Sequence, residues 1–275
     1  MYKGFIIDNF DNLNFSQIKI STERKSIDKS PLLENKFLAN KVFNKSLSDF
    51  VLQSSIEKDV ILDGSKIVDE YFPEVKADIF ISHSHKDVKK AREFAKLIYM
   101  KTGLVSFIDS EVWKYADDLL RNIDNDFCLS SATTYSYKKR NISTSYVHMM
   151  LNTALLKMID RCECLFFLNT PNSFNVEQEI EKTTFSPWIY SELSMANAIE
   201  KKIPDRYRSL HKSLTEESVA QFSQEDSFQF MIALKPKTEK LINYDCSIVA
   251  EWLSGCTSTN KLSNLDLLYK RFSRS

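Results

Sequence analysis

Short apolar runs alternate with stretches of helical periodicity along the middle of the chain. The apolar runs have the length of strands that are buried on both faces. They cover residues 78–82, 104–108 and 164–168. Between and after them, apolar residues recur every three or four positions, which predicts helices over residues 87–102 and 148–159, and from Pro187 onward. Strands that alternate with helices predict an α/β fold in which a parallel sheet is flanked by helices.

Local end signals support two of these helices. Gly103 fits the C′ position after the first of them, where a left-handed backbone is common. Ser186 is a favourable N-cap residue, and Pro187 suits the first helical position. The helix that begins there carries an apolar face formed by Ile189, Leu193, Ala196 and Ile199.

The two ends of the chain show weaker patterns. Residues 1–75 are predicted to form an N-terminal extension, helical or regulatory in character. Helical spacing over 47–72 is broken at Gly64 and closed by Pro73. Residues 76–275 are predicted to form the α/β domain, whose later elements are a fourth strand at 228–234 and helices at 247–253 and 265–272.

Composition narrows the functional classes. Lys+Arg and Asp+Glu are equal at 37 each, a balance that argues against a nucleic-acid partner. No apolar run approaches the roughly 18 residues that span a bilayer, and the first residues lack a signal-peptide core. We therefore expect a cytoplasmic protein without a membrane partner. The five scattered cysteines fit reduced thiols, and with only 4 glycines there is no Gly-rich phosphate loop.

Candidate chemistry lies where the predicted strands end. Ligands of parallel α/β sheets bind outside the carboxyl ends of the strands. This rule groups residues 82–87, 109–113 and 169–172 around one site. The first segment contains His83, His85 and Asp87, the spacing of a metallo-hydrolase motif.

A metal-dependent hydrolase that uses His83, His85 and Asp87 is one interpretation of this segment. Alternate residues of an extended chain share a face, so two of them can bind one metal. However, the chain has only 4 histidines, and Val88 stands where the longer motif requires another. Histidines that hydrogen-bond within a loop are favoured, and we expect no bound metal.

Three segments, in order, resemble the Toll/interleukin-1 receptor (TIR) domain family, particularly its bacterial members. The stretch ADIFISHSHKD, residues 77–87, is similar to the first strand and loop of the family. The stretch VSFID, residues 105–109, resembles its second strand, and SPWIYSEL, residues 186–193, resembles its WxxxE helix. The resemblance covers roughly residues 76–255 and implies a flavodoxin-like parallel sheet.

Two segments depart from the family pattern. The loop after the second strand usually carries Gly or Pro, whereas residues 110–118 contain neither. A polar stretch rich in Tyr and Ser occupies residues 124–146, and the usual family loop does not map onto it. Substrate contacts from residues 124–146 are therefore not assigned.

The resemblance implies an activity on NAD⁺. Many bacterial TIR domains cleave the bond between nicotinamide and ribose, either as hydrolases that release ADP-ribose or as cyclases that make a signal such as cyclic ADP-ribose. Such relatives serve in anti-phage defence, through NAD⁺ loss or through a downstream effector that receives the nucleotide. The resemblance also implies self-association through the TIR domain and no cofactor beyond NAD⁺ as substrate. The alternative is a non-catalytic TIR adaptor that only self-associates.

Glu192 is the predicted catalytic residue. Loss of nicotinamide builds positive charge on the ribose, and a nearby carboxylate stabilises that charge, as in glycosidases. Trp188 and Glu192 are four apart and lie on one helix face, next to the apolar stripe. Glu192 is too deep in the helix for a capping box. The alternative is an ordinary solvent-exposed glutamate.

Each predicted substrate-binding residue has an alternative interpretation in which its role is structural. In the first loop they are Ser82, His83, Ser84, His85 and Lys86. Their loop precedes a helix, and the amides at the start of that helix can bind pyrophosphate. In the alternative interpretation, the loop is only a turn between strand and helix that is capped by Ser or Asp. The other candidates are Phe107, Asp109, Trp113 and Trp188. Asp109 suits a ribose hydroxyl or a turn, and the aromatic residues suit base stacking or core packing.

Overall fold

The structure, a computed structural model, describes most of the chain. The described residues are 1–13, 18, 46–52, 60–108, 110–174, 183–210, 234–257 and 259–272, with the backbone alone at 111–115, 208–210 and 271–272. The chain divides into two compact units. The first comprises Met1–Ser30, Lys76–Ile108 and Ile159–Ser275, and the second comprises Pro31–Val75 and Asp109–Met158.

A five-stranded sheet forms the centre of the first unit. Its strands are β1 (Lys3–Asp8), β2 (Ile79–Ser82), β3 (Ser106–Ile108), β4 (Cys164–Leu168) and β5 (Leu241–Asp245). They lie in the order β3-β2-β4-β1-β5, and every neighbouring pair is parallel. All five residues of β4 are buried, as expected for a strand covered on both faces.

Seven α-helices occur among the described residues. They are α1 (Gly64–Tyr71), α2 (Val88–Thr102), α3 (Ser110–Ile123), α4 (Tyr137–Arg161), α5 (Pro187–Ala198), α6 (Cys246–Gly255) and α7 (Lys261–Phe272). Within the first unit, α2 packs with α6 and α7, and α6 also contacts β1 and β5. This architecture confirms the predicted α/β fold with a parallel sheet, and it is consistent with a flavodoxin-like fold.

The strand order relates this sheet to the flavodoxin-like arrangement. That arrangement places the strands of a doubly wound sheet in the order 2-1-3-4-5. Counted from residue 76, the strands β3, β2 and β4 occupy the first three places, 2-1-3. The fourth place is taken by β1, from the other end of the sequence.

Strand β1 corrects the expected boundary at residue 75. Residues 1–75 were expected to form an extension, but Lys3–Asp8 pairs with β4 on one side and with β5 on the other. Phe5, Ile6 and Ile7 are buried in the sheet core. Strand β5 was also not predicted, and the expected fourth strand at 228–234 lies outside the described residues except for Leu234, which bridges to Thr184.

The predicted ends of α2 and α5 are confirmed. Ser186 accepts a hydrogen bond from the Ile189 amide at 3.3 Å, and Pro187 opens the helix. Gly103 ends α2 with φ 75°, in the left-handed region, and its amide donates to the Tyr99 carbonyl. Among the other described elements, the predicted boundaries fall within four residues of the observed ones, except for the helices predicted over 47–72 and 148–159.

We expect Gly103→Ala to lower the free energy of unfolding by about 1 kcal/mol, because a Cβ is strained at positive φ. Urea denaturation followed by tryptophan fluorescence measures this change. Gly255→Ala is the matched control, since Gly255 also ends a helix but has neither a positive φ nor a neighbour near the added Cβ. A loss as large at Gly255 would contradict the conformational explanation.

The second unit contains α1, α3 and α4 up to Met158. The sequence predicted helical structure over 47–72 with a break at Gly64, and among the described residues of this range an α-helix is found at 64–71 and not at 47–52. A 3₁₀ turn at Leu47–Phe50 leads into a pair of two-residue antiparallel strands, Val51–Leu52 and Ile61–Leu62. Gly64 then opens α1 instead of breaking it, because the Asp63 carboxylate accepts hydrogen bonds from the first amides.

The long helix α4 also differs from its prediction. It begins at Tyr137 rather than at 148, so it takes up part of the polar stretch 124–146. A π-helical turn at Asp124–Cys128 precedes it. Asp124 is buried and accepts hydrogen bonds from Arg140 at 2.9 Å and Ser143 at 2.5 Å, which fixes the start of α4.

Two further observations concern the whole described chain. All five cysteines are free and buried, and burial raises the pKa of Cys162 to about 12. None of the described helices is long and apolar enough to cross a membrane.

Candidate functional site

The candidate site lies at the switch point of the parallel sheet. Strands β2 and β4 are neighbours, and the chain leaves β2 for β3 on one side while β4 lies on the other. Such a point, at the carboxyl ends of the strands, is where ligands of open α/β sheets bind. Here it is surrounded by the loop that follows Ser82 and the loop that begins at Asn169.

Glu192 on α5 contacts the end of β2 at this point. The Ser82 hydroxyl donates a hydrogen bond to Glu192 Oε2 over 2.6 Å, and both residues are fully buried. The contact joins two of the three segments that resemble the TIR family. Ser82 and Glu192 are both predicted site residues, and the structure brings them into direct contact.

The surroundings of Glu192 exclude the alternative of a solvent-exposed glutamate. Its side chain is fully buried, at the edge of the apolar stripe that contains Ile189 and Leu193. A buried carboxylate is costly unless it is hydrogen-bonded, so the Ser82 hydroxyl stabilises it directly. Trp188, four residues earlier, is half-buried.

The loop after β2 divides into a buried part and an exposed part. His83 and Ser84 are buried, whereas His85 and Lys86 are exposed on a 3₁₀ turn, His85–Asp87. Neither Ser84 nor Asp87 caps the following helix with its side chain. The alternative of a turn capped by Ser or Asp is therefore wrong, and the exposed His85 and Lys86 remain able to contact a ligand.

Asp87 holds the β2 loop to the β4 loop. Its carboxylate accepts hydrogen bonds from Thr170 Oγ1 at 2.6 Å and Asn172 Nδ2 at 3.0 Å, and it pairs with Lys90 at 3.1 Å. Lys90 also pairs with Asp11, which follows β1, at 2.7 Å. Burial opposes ionisation of Asp87, but these donors outweigh it and lower the pKa of its carboxyl below the ordinary value.

A second polar cluster lies at the carboxyl ends of β1 and β5. Asn169 donates to Asp8 at 2.6 Å, and Asn9 donates to Asp245 at 2.8 Å. The hydrogen bond from Asn9, followed by those from Ser247, lowers the pKa of Asp245 to about 2. Asn9 has a left-handed backbone with φ 56°, which an asparagine tolerates.

Sequence reasoning missed most of these network residues, although one signal was present. Thr170 and Asn172 fall in the segment 169–172, which the strand-end rule had grouped around the site. The rule did not single them out as partners of Asp87. Asp8 and Asn9 gave no signal, because the segment that carries them was expected to lie outside the domain.

Of the other predicted site residues, Phe107 has a described side chain and Trp113 and Asp109 do not. Phe107 is buried in β3, where its ring lies 5.3 Å from that of Phe80, so it packs in the core. Trp113 belongs to α3 of the second unit, and its side chain is outside the described part. Asp109 is also outside the described residues.

The metal interpretation finds no support in the described geometry. Among the described residues, no three His, Cys, Asp or Glu side chains are grouped so that they can hold a metal ion. His85 is exposed while His83 and Asp87 are buried, and Asp87 accepts its hydrogen bonds from Thr170 and Asn172.

A shallow cavity of about 460 Å³ lies away from this site. It is formed at the amino ends of β1 and β5 by residues that include Lys3, Lys201 and Lys240. The candidate carboxylate, on α5, is hydrogen-bonded at the carboxyl end of β2, which is at the opposite edge of the sheet. The cavity therefore plays no part in the candidate site.

Comparisons of the chain with protein-family models, with curated proteins and with solved structures found no match. The interpretation of the site depends on the residues, their geometry and the resemblance of the three segments.

Proposed function

We propose that this chain is a TIR-domain enzyme that cleaves NAD⁺ between nicotinamide and ribose, with Glu192 as the catalytic residue. The observation that carries the proposal is the Ser82–Glu192 hydrogen bond at the switch point of the sheet. It unites the two most specific of the TIR-like segments at the edge of the sheet where ligands bind.

The chemistry requires one well-placed negative charge. Nicotinamide is cationic in NAD⁺ and leaves as a neutral molecule when it takes the electron pair of the glycosidic bond. The ribose then carries oxocarbenium-like charge, which the Glu192 carboxylate stabilises electrostatically. In the hydrolase, water adds to the ribose and releases a proton, giving ADP-ribose. In the cyclase, an adenine nitrogen or a ribose hydroxyl of the same molecule adds instead of water. The cyclic product is therefore lighter than ADP-ribose by the mass of one water.

The remaining loop residues suit the rest of NAD⁺. His85 and Lys86 are exposed and offer positive charge or hydrogen bonds to pyrophosphate. Trp188 presents part of its surface on the helix that carries Glu192 and suits stacking on an aromatic ring. We assign no role in binding to Phe107, because its ring is packed in the sheet core.

Burial of Glu192 has a consequence for the reaction. A ribose can approach a fully buried carboxylate only if part of its cover moves. The enzyme therefore needs a change of conformation on substrate binding or on assembly. This requirement fits the regulation that is expected of an enzyme whose activity depletes NAD⁺.

The direct test is incubation of the concentrated protein with NAD⁺, followed by chromatography with mass detection. We expect free nicotinamide together with ADP-ribose or its cyclic form, and the product masses distinguish the two reactions. The assay is repeated in cells challenged with phage, where the trigger is present. Absence of nicotinamide under both conditions would rule out the enzyme.

A non-catalytic TIR adaptor is the second candidate, and the full burial of Glu192 favours it. In an adaptor, the Ser82–Glu192 contact only fixes α5 to the end of β2. This candidate predicts self-association without turnover of NAD⁺. The distinction is therefore made by the same assay.

The proposal extends to the cell biology that the resemblance implies. We infer a cytoplasmic enzyme of anti-phage defence whose activity depletes NAD⁺ or whose product signals to a downstream effector. Nucleic acid and membrane have no part in this proposal.

A further inference from the structure

Helix α4 is apolar on two opposite faces. One face is buried and consists of Val147, Leu151, Ala154, Leu155 and Met158. The other face is exposed, and its large apolar residues are Ile142 (50%), Tyr146 (67%), Met149 (63%) and Leu156 (41%). Thr153 continues this row, and we call the five residues the exposed stripe. An ordinary surface helix has one apolar face and one polar face, so the stripe needs an explanation.

The stripe has the spacing of a helix-pairing surface. Its residues follow one another at intervals of four, three, four and three. This is the heptad spacing by which two helices pack knobs into holes. On an ideal helix the five residues fall within a band of about 80°. They therefore present one continuous row to a straight partner helix.

The stripe also lacks charge around it. Residues 141–156 contain no Asp, Glu, Lys or Arg, although the helix exposes that side. Solvated helix faces usually carry charged side chains, whereas the centres of protein interfaces are depleted of them. Tyr and Met, which hold the middle of the stripe, are both enriched at interfaces.

We propose that the exposed stripe pairs with the same stripe of a second copy, in an antiparallel two-fold dimer. A two-fold interface must be self-complementary, and an uncharged apolar row meets this condition without like-charge repulsion. Met149 is the middle of the stripe and lies near the axis. Parallel pairing would bring together two copies of the exposed basic run 138–140, so the antiparallel arrangement is favoured.

The available area fits a dimer. The exposed parts of the four large stripe residues amount to roughly 400–450 Å² of apolar surface per copy, the size of the largest patch on a typical monomer, which is often functional. With Thr153 and the uncharged neighbours, pairing covers about 1,000–1,400 Å² in total, which reaches the lower end of specific interfaces. The residues of this surface belong to the second unit, and none of them is in the three TIR-like segments of the sequence.

The association state of two matched variants tests the pairing. We expect the wild type to be dimeric at about 10–100 µM by size-exclusion chromatography with light scattering, as an interface of this size allows. Tyr146→Glu/Met149→Glu is expected to be monomeric, because it places charges at the centre of the stripe. Tyr137→Glu is the matched control, since Tyr137 is as exposed as Tyr146 on the same helix but roughly 180° around it. This control is expected to remain dimeric.

Cysteine cross-linking tests the arrangement. All five native cysteines are buried, so an introduced surface cysteine reacts with little background. Under mild oxidation Met149→Cys is expected to form a disulfide-linked dimer, because its copy lies across the axis within disulfide range. Ile142→Cys and Leu156→Cys each lie about 10 Å from Met149 along the helix and are expected not to link to their own copies. Linkage of all three would overturn the antiparallel arrangement.

The proposal has clear contrary outcomes. A monomeric wild type across this range, or a Tyr146→Glu/Met149→Glu variant that stays dimeric, overturns it. Flotation with vesicles of equal parts phosphatidylcholine and phosphatidylserine tests the alternative that the exposed stripe binds a membrane. If the wild-type monomer binds these vesicles and the double variant does not, the stripe is a membrane surface instead. Circular dichroism confirms that each variant is folded, and none of these readouts depends on NAD⁺ cleavage.

Discussion

Replacement of Glu192 by Gln is expected to reduce nicotinamide release from NAD⁺ by at least about 100-fold, the usual effect of losing one buried electrostatic contact to a transition state. The glutamine has nearly the same size, and its amide oxygen can still accept the Ser82 hydrogen bond. What it removes is the negative charge opposite the ribose. The measurement is initial-rate nicotinamide release by chromatography, at saturating and at low NAD⁺.

This substitution separates catalysis from folding. A buried carboxylate is costly to desolvate, so Glu192→Gln should leave the melting temperature unchanged or raise it. Lost activity in a protein of unchanged stability can then be assigned to the missing charge. Glu200→Gln is the control, because Glu200 is an exposed glutamate of the same unit and should retain full activity.

The Ser82 hydroxyl allows a second, graded test. Ser82→Ala keeps the charge of Glu192 but removes the hydrogen bond that orients it. We expect a smaller loss, of about 10-fold, because the carboxylate charge is kept while a hydrogen bond to a charged group, worth about 1.5 kcal/mol or more, is lost. If Glu192→Gln retains the wild-type rate, the carboxylate is structural and the catalytic assignment is wrong.

The sequence could predict those parts of the fold whose signals are local. Strand β4 was predicted with its observed bounds, 164–168, because five consecutive apolar residues leave little choice. The Ser186 cap and the Gly103 terminus were predicted because each depends on one residue and its immediate neighbours. Strand β1 was missed because its apolar core is only Phe5, Ile6 and Ile7, and its partners are far away in the sequence.

The candidate site was only partly predictable for the same reason. The family resemblance singled out Glu192, and the strand-end rule placed Ser82 near it. The hydrogen bond between them joins residues 110 positions apart, so no local pattern encodes it. Likewise, the side chains that surround Asp87 come from separate loops, and their meeting depends on the strand order, which places β4 beside β2.

Removal of the Asp87 carboxylate is the substitution with the largest expected effect on stability. We expect Asp87→Ala to lower the free energy of unfolding by about 2–4 kcal/mol at pH 7. Three donors, on Thr170, Asn172 and Lys90, lose their common acceptor at a site that is 1% exposed. Because Lys90 is itself partly exposed, we place the loss below that of a fully buried ion pair.

Urea denaturation followed by tryptophan fluorescence measures this loss, since Trp252 is buried in the same unit. Asp126→Ala is the matched control, because Asp126 is exposed and should change the stability by less than about 0.5 kcal/mol. A loss at Asp87 no larger than at Asp126 would show that the network contributes nothing to stability.

The pH dependence follows from the lowered pKa of Asp87. A carboxyl group whose pKa is lower in the folded protein than in the unfolded chain stabilises the fold above the unfolded value, about 3.9. As the pH falls through the folded value, the group takes up its proton and this contribution is lost. The stability difference between wild type and Asp87→Asn should therefore be largest at neutral pH and narrow below about pH 4. A difference that stays constant from pH 7 to pH 3 would mean that the side chain contributes through shape and neutral hydrogen bonds, and that its charge does not hold the two loops of the candidate site together.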